Sequence, residues 1–139
     1  MTPVLLDTGC IVALLDRSER HHETCKEAML ELVEPLATCE AVITEACFLL
    51  RSIPGAPDAV LRNVEEGIFV IPFRLTDASR TVRTLIKKYS KVRMDLADAC
   101  LVSMADELGT GRILTLDSDF RIYRWRKTRR FELLVSPAA

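Results

Sequence analysis

Four acidic side chains stand in surroundings that ask for a counter-charge. Asp7 follows the apolar run Val4-Leu5-Leu6, and Asp117 follows Ile113-Leu114-Thr115-Leu116. Both runs read as short buried strands, and in an open parallel sheet ligands bind outside the carboxyl ends of the strands. Glu45 and Asp98 are set instead into apolar helical stretches. Glu45 lies between Ala41-Val42-Ile43 and Ala46 through Leu50, and Asp98 between Leu96-Ala97 and Ala99 through Val102. An isolated carboxylate in such a place is costly, or takes up a proton, unless a cation meets it. The nearest basic residues, Arg51 and Arg93, lie beyond one helical turn. A divalent metal answers all four carboxylates together, and hard oxygen donors suit magnesium or manganese rather than zinc.

Each acid has a plainer reading as well. Carboxylates at strand ends and helix starts are often turn residues or caps, Asp95 above all. It is the four in matched contexts that point to one shared site. Other chemistries lack parts. His21 and His22 are adjacent at the start of a helix, where successive positions do not face each other, so a partly exposed structural place is expected for them. No GxxxxGK[ST] loop occurs, and Gly109 and Gly111 read as a helix stop and a strand start. Asp7-Thr8-Gly9 has no second Asp two residues on, which argues against a phosphatase with an aspartyl nucleophile. Cys10, Cys25, Cys39, Cys47 and Cys100 are odd in number and never spaced CxxC. They read as small buried hydrophobes in a reducing compartment.

The elements that must carry these residues follow from apolar periodicity. Strands are predicted over Val4–Leu6, Leu36–Thr38, Ile68–Ile71, Ile113–Leu116 and Phe131–Val135. Helices are predicted from Asp7-Thr8 onward with Thr8 as N-cap, and over residues 19–34 with Cys25, Met29, Leu32 and Val33 on one face. Further helices are predicted over Ala41–Ile53, Ala59–Glu66, Asp77–Tyr89 and Asp95–Leu108. Strands alternating with helices favour an α/β domain around a mostly parallel sheet. The 139 residues suit one domain, 1–139. At 49% hydrophobic and 28% charged the chain is too apolar to be disordered, and a net charge of -1 excludes a polycation. The N-terminus lacks a basic n-region and no apolar stretch is long enough to span a bilayer, so a cytoplasmic protein with no membrane partner is expected.

Taken in order, these motifs resemble the PIN-domain ribonucleases, and among them the small VapC-like toxins of type II toxin–antitoxin pairs. The similarity rests on Val4-Leu5-Leu6-Asp7-Thr8 with Ile11 to Asp16, and on Val42-Ile43-Thr44-Glu45-Ala46. It continues through Asp95-Leu96-Ala97-Asp98-Ala99 and Leu114-Thr115-Leu116-Asp117-Ser118-Asp119-Phe120. The resemblance implies a PIN-like α/β fold with a central parallel sheet of about five strands flanked by helices. It implies magnesium- or manganese-dependent endonucleolytic cleavage of RNA at Asp7, Glu45, Asp98 and Asp117. Asp95 and Asp119 are left open between metal ligands, water-mediated ligands and caps, and Thr8 and Thr115 supply hydroxyls beside the site. A homodimer and a cognate antitoxin are implied partners. Two alternatives stay open: a stand-alone RNA-processing nuclease without antitoxin, and an inert RNA- or protein-binding module.

Between Arg112 and Arg130 seven basic residues face two acids, leaving the rest of the chain acidic. Arg121, Arg124, Arg126, Lys127, Arg129 and Arg130 could meet RNA phosphates beside the metal, with Tyr123, Trp125 and Phe131 stacking on unpaired bases. The other reading of this strip is a solvated strand whose aromatics cover the sheet edge. A helix carrying Arg80, Arg83, Lys87 and Lys88 is a second basic surface.

Overall fold

The computed structural model describes residues 1–136. Strand β1 (Val4–Leu6) runs beside β4 (Arg112–Leu114) at the centre of a five-stranded sheet. Its other neighbour is β2 (Leu36–Ala37), followed outward by β3 (Phe69–Val70); β7 (Glu132–Leu133) closes the far side next to β4. All four pairings are parallel. Val4, Leu5, Leu6, Ile113 and Leu114 are wholly buried, so helices cover both faces of the central strands and the runs are apolar without alternation.

The helices are α1 (Thr8–Leu15), α2 (His22–Glu31), α3 (Glu40–Leu49), α4 (Ala56–Glu65), α5 (Leu75–Lys88) and α6 (Leu96–Leu108). Helix α1 packs on α2 and α3, and α5 packs on α6. Every predicted element is present, with its ends displaced for identifiable reasons. Helix α2 stops at Glu31 because Leu32 turns extended to lead the chain toward Pro35 and β2, which leaves Val33 80% exposed instead of on the buried face. Helix α4 starts earlier than predicted: Gly55 takes φ +79 before it, and Pro57 occupies the first turn, where a missing N–H costs nothing. Strand β4 ends before Thr115, whose hydroxyl is committed to side-chain bonds.

One feature was not predicted. After a short 3-10 turn (Ser118–Arg121) the chain forms an antiparallel hairpin of β5 (Arg124–Trp125) and β6 (Arg129–Arg130). Trp125 folds over Gly111, donating from Nε1 to the Arg130 carbonyl at 3.2 Å. A β-carbon at Gly111 would lie 2.0 Å from Trp125 Nε1, so only glycine admits this packing. Tyr123, Trp125 and Phe131 are all buried, and Tyr123 and Phe131 each pack edge-to-face on Phe120. They are core residues, not platforms for bases, which corrects that part of the expectation for the basic strip.

Candidate metal centre

The chain passes from β1 outward through β2 and β3 and then returns to β4 on the opposite side of β1. The crevice at the carboxyl ends of β1 and β4 is therefore the topological switch point of the sheet, where ligands of open α/β folds bind. Asp7 leaves the end of β1, its N–H donating to the Leu114 carbonyl at 3.0 Å. Asp117 follows β4. Asp98 comes from the first turn of α6, whose N-terminus sits at this crevice and which then runs away from it toward the start of β4. One carboxylate oxygen from each of Asp7, Asp98 and Asp117 falls within 4.8 Å of the others.

Each of the three is fixed by specific donors. Asp7, rather than Thr8, is the N-cap of α1: its Oδ1 accepts the Thr8 N–H at 2.8 Å. Its Oδ2 accepts the Thr115 hydroxyl at 2.7 Å. Thr115 Oγ1 also accepts the Asp117 N–H at 3.0 Å, so one hydroxyl links the ends of both strands. Asp117 Oδ1 accepts the Asp119 N–H at 2.9 Å. Asp95 caps α6, its Oδ1 accepting the Asp98 N–H at 2.8 Å. Asp98 Oδ2 accepts the phenol of Tyr123 at 3.0 Å.

Tyr123 is the positioning residue that sequence reasoning missed. It is wholly buried and packs edge-to-face against Phe120 and Tyr89. The only signal for it was a tyrosine among arginines, which read as surface. Burial, and then the charge of Asp98, push its own pKa up, so it stays a donor.

Charge is crowded here. Burial pushes Asp7 up to about 6, against the lowering effect of the Thr115 and Thr8 bonds, with Asp117 and Glu45 adding repulsion. Burial raises Asp98 to about 7, with Asp95, Asp7 and Asp117 adding repulsion and Tyr123 opposing it. Burial, then Asp117, raises Asp119 as well. Among the described residues no lysine or arginine forms an ion pair with Asp7, Asp98 or Asp117.

The remaining predicted residues divide. Glu45 lines the same cleft of about 270 Å³ with Asp95 and the three clustered acids. It is exposed, however, not set into an apolar face. Helix α3 buries Val42, Ile43 and Ala46 and turns Glu45 to the rim, so this carboxylate poses no burial problem of its own. Asp95 is exposed and Asp119 half-buried. Thr8 Oγ1 is buried with no hydrogen-bond partner, an orphaned oxygen in the lining of this cleft. Arg121 is exposed immediately after the Asp117 turn. Arg124 folds back onto the chain, and Arg126 lies along the C-terminal end of α6, its N–H on Asp106 Oδ1 at 2.5 Å. Arg129 and Arg130 are exposed on β6, Arg129 over the Trp125 ring. Among the described residues none of these cations forms an ion pair with Asp7, Asp98 or Asp117, and Tyr123 is the side chain of this stretch that bonds to Asp98. His22 Nδ1 meets the Ala13 carbonyl at 2.7 Å between α1 and α2, a structural role. Cys10, Cys25, Cys39 and Cys100 are buried thiols, and Cys25 Sγ donates to Cys10 Sγ at 3.5 Å.

An all-oxygen donor set, with Asp7 and Asp98 raised in pKa by burial and then by neighbouring acids, and an unpartnered hydroxyl beside them fit a hard divalent cation. Asp7, Asp98 and Asp117 would hold it, with Glu45 at the rim.

Comparison with known proteins agrees with this geometry. Ribonuclease VapC26 of Mycobacterium tuberculosis (strain ATCC 25618 / H37Rv) is 28% identical over 116 residues, covering 82% of this chain and 86% of that protein. The crystal structure of Mycobacterium tuberculosis VapC20, described as a Sarcin-Ricin loop cleaving toxin, has a TM-score of 0.80 at 18% identity, over 91% of this chain and 98% of that chain. A family model for the PIN domain matches residues 4–125, from the strand that delivers Asp7 to the hairpin strand beyond Tyr123, and the chain belongs to that family.

Proposed function

We propose that this protein is a metal-dependent endoribonuclease of the VapC type, hydrolysing RNA phosphodiester bonds at the acidic crevice. The observation that carries the reading is the meeting of Asp7, Asp98 and Asp117 within 4.8 Å, without an ion pair to offset them among the described residues. Three carboxylates alone would repel a phosphodiester. A bound magnesium or manganese ion would offset most of that charge, acidify a water and polarise phosphoryl oxygens.

The protein's own part is to hold the donors still. Thr115 and the Thr8 N–H fix both oxygens of Asp7, Tyr123 fixes one oxygen of Asp98, and the Asp119 N–H fixes one oxygen of Asp117. Restraining these rotamers before ligand arrives lowers the reorganisation needed at reaction. Glu45 keeps a solvated carboxylate at the mouth of the cleft. No histidine stands near the cluster, and the two in the chain lie at the start of α2. Attack by water rather than by the RNA's own 2′-hydroxyl follows, leaving 3′-hydroxyl and 5′-phosphate ends.

RNA is the substrate class and a cognate antitoxin the expected inhibitor by similarity to the VapC relatives, and a homodimer is the assembly the family resemblance implies. A basic antitoxin side chain reaching Asp7 and Asp98 would match the electrostatics. No helix among the described residues is long and apolar enough to cross a membrane. The test is cleavage of a mixed RNA pool with manganese by the wild type and by Asp98→Asn, with the cut ends mapped. The wild type should cut and the variant should lose at least ~100-fold, the scale on which charge-stabilising groups act. Terminal 2′,3′-cyclic phosphates, or equal cutting by the variant, would contradict the reading.

A further inference from the structure

We propose that a second cleft, between α5 and the β5–β6 hairpin, grips the RNA sugar–phosphate backbone at a distance from the acidic crevice; this rests on the nuclease reading above. Arg80, Thr84 and Lys88 recur every four residues and so share one face of α5. The fold sets that face against Arg124 and Lys127 of the hairpin and Asp106 of α6, enclosing about 430 Å³. Two basic stretches far apart in sequence are thereby combined into one site. It shares no lining residue with the acidic cleft.

Three features suit this cleft to an anion. First, four cations converge on one cavity and, like most cations of the chain, make no ion pair among the described residues. Its one carboxylate, Asp106, accepts the Arg126 N–H through Oδ1, so four cations stand against one acid in the lining. Second, Arg124 is anchored: its Nη1 donates to the carbonyls of Arg121, Ile122 and Tyr123 at 2.8, 2.9 and 2.9 Å. A guanidinium held in this way loses little freedom when an anion arrives. Third, Arg126 and Lys127 hold φ angles of 43° and 69° at the hairpin tip, the left-handed region that glycine or asparagine occupies with less strain. A cation is kept where the backbone favours another residue, and strain of this kind gathers at functional sites.

The ligand chemistry follows from the lining. No aromatic side chain lines the cleft, and the neighbouring Tyr89, Tyr123 and Trp125 are buried, so bases have nothing to stack on. The contact is with phosphates and is independent of sequence. It is tied to the reaction centre: the Arg124 N–H donates to the Tyr89 phenol at 3.1 Å, Tyr89 packs on Tyr123 at 5.0 Å between ring centroids, and Tyr123 holds Asp98.

The experiment measures binding of a fluorescent mixed-sequence RNA across a salt series, without divalent ions, for the wild type, Arg80→Gln/Lys88→Gln and Lys127→Gly. The double variant should bind roughly ten-fold more weakly at low salt and reduce the log–log salt slope by about 1–2. Lys127→Gly should reduce the slope by about 1 while its Tm stays level or rises, because glycine relieves the left-handed backbone. Both variants should keep the wild-type shift of Tm with manganese, which separates the cleft from the metal centre. Unchanged slopes in variants that still bind and cut RNA would overturn the cleft alone and leave an acidic protein segment as the polyanion that fits it. A wild type that neither binds nor cuts RNA would overturn the nuclease reading and this proposal together.

Discussion

Asp98 shows how a single side chain can work against the stability of the fold it belongs to. It is 8% exposed, faces three other acids, and is held by Tyr123 with one oxygen committed. With Asp7 at about 6 and Asp98 at about 7, the folded protein without metal binds protons more tightly than the unfolded chain, whose carboxyls titrate near 3.8. The stabilisation from these protons is complete below the unfolded value and is lost as pH rises through 6 to 7. Thermal melts in chelator should therefore place Asp98→Asn above the wild type at pH 8, by on the order of 3 kcal/mol, with the two converging near pH 4. A variant no more stable than the wild type at pH 8 would show that burial of this charge costs the fold nothing. Asp7, Asp98 and Asp117 were legible from sequence because acids beside apolar runs are chemically out of place. Glu45 was placed in the right cleft but given the wrong surroundings, since the phase of α3 decides which face is buried and the run Ala41 to Leu50 is apolar on both. Tyr123 was not legible: the direction of a phenol depends on packing, and its neighbours Arg121, Arg124 and Arg126 suggest solvent.

At the scale of elements, helix and strand positions could be read because periods and breakers are local. Gly109 stops α6 in the left-handed conformation, as its place after Leu108 implies. Caps were less certain where two capping residues adjoin, as at Asp7 and Thr8. The β5–β6 hairpin had no turn signal, because its left-handed positions hold Arg126 and Lys127 instead of Asn and Gly. Besides its bonds to Asp106 and Tyr89, it is anchored by the packing of Trp125 on Gly111. Gly111→Ala would force a β-carbon to 2.0 Å from Trp125 Nε1 and 2.7 Å from Cε2. The indole must leave, costing about 1–3 kcal/mol in urea unfolding and shifting the emission of the sole tryptophan to the red. Unchanged emission and stability would mean that the hairpin packs independently of that glycine.

Across the whole molecule, the order of the sheet is what sequence could not supply. Thr115 meets Asp7 across 108 residues of chain because β4 returns to the side of β1 opposite β2, a choice made by tertiary packing rather than local propensity. That return also separates charge: the acids gather at the carboxyl ends of the strands while cations from α5 and the hairpin line another cleft, within a chain whose net charge is only -1. An electrically divided surface of this kind suits a polyanion gripped at one place and cut, with a cation's help, at another.

Manganese titration followed by thermal melting addresses the central claim most directly, since an ion bound only by the folded state raises Tm as its concentration grows. The wild type should gain several degrees at saturating manganese at pH 8, while Asp7→Asn, Asp98→Asn and Asp117→Asn each lose most of that gain. Equal gains in the wild type and all three variants, or none in the wild type, would contradict the assignment of these carboxylates to one cation site.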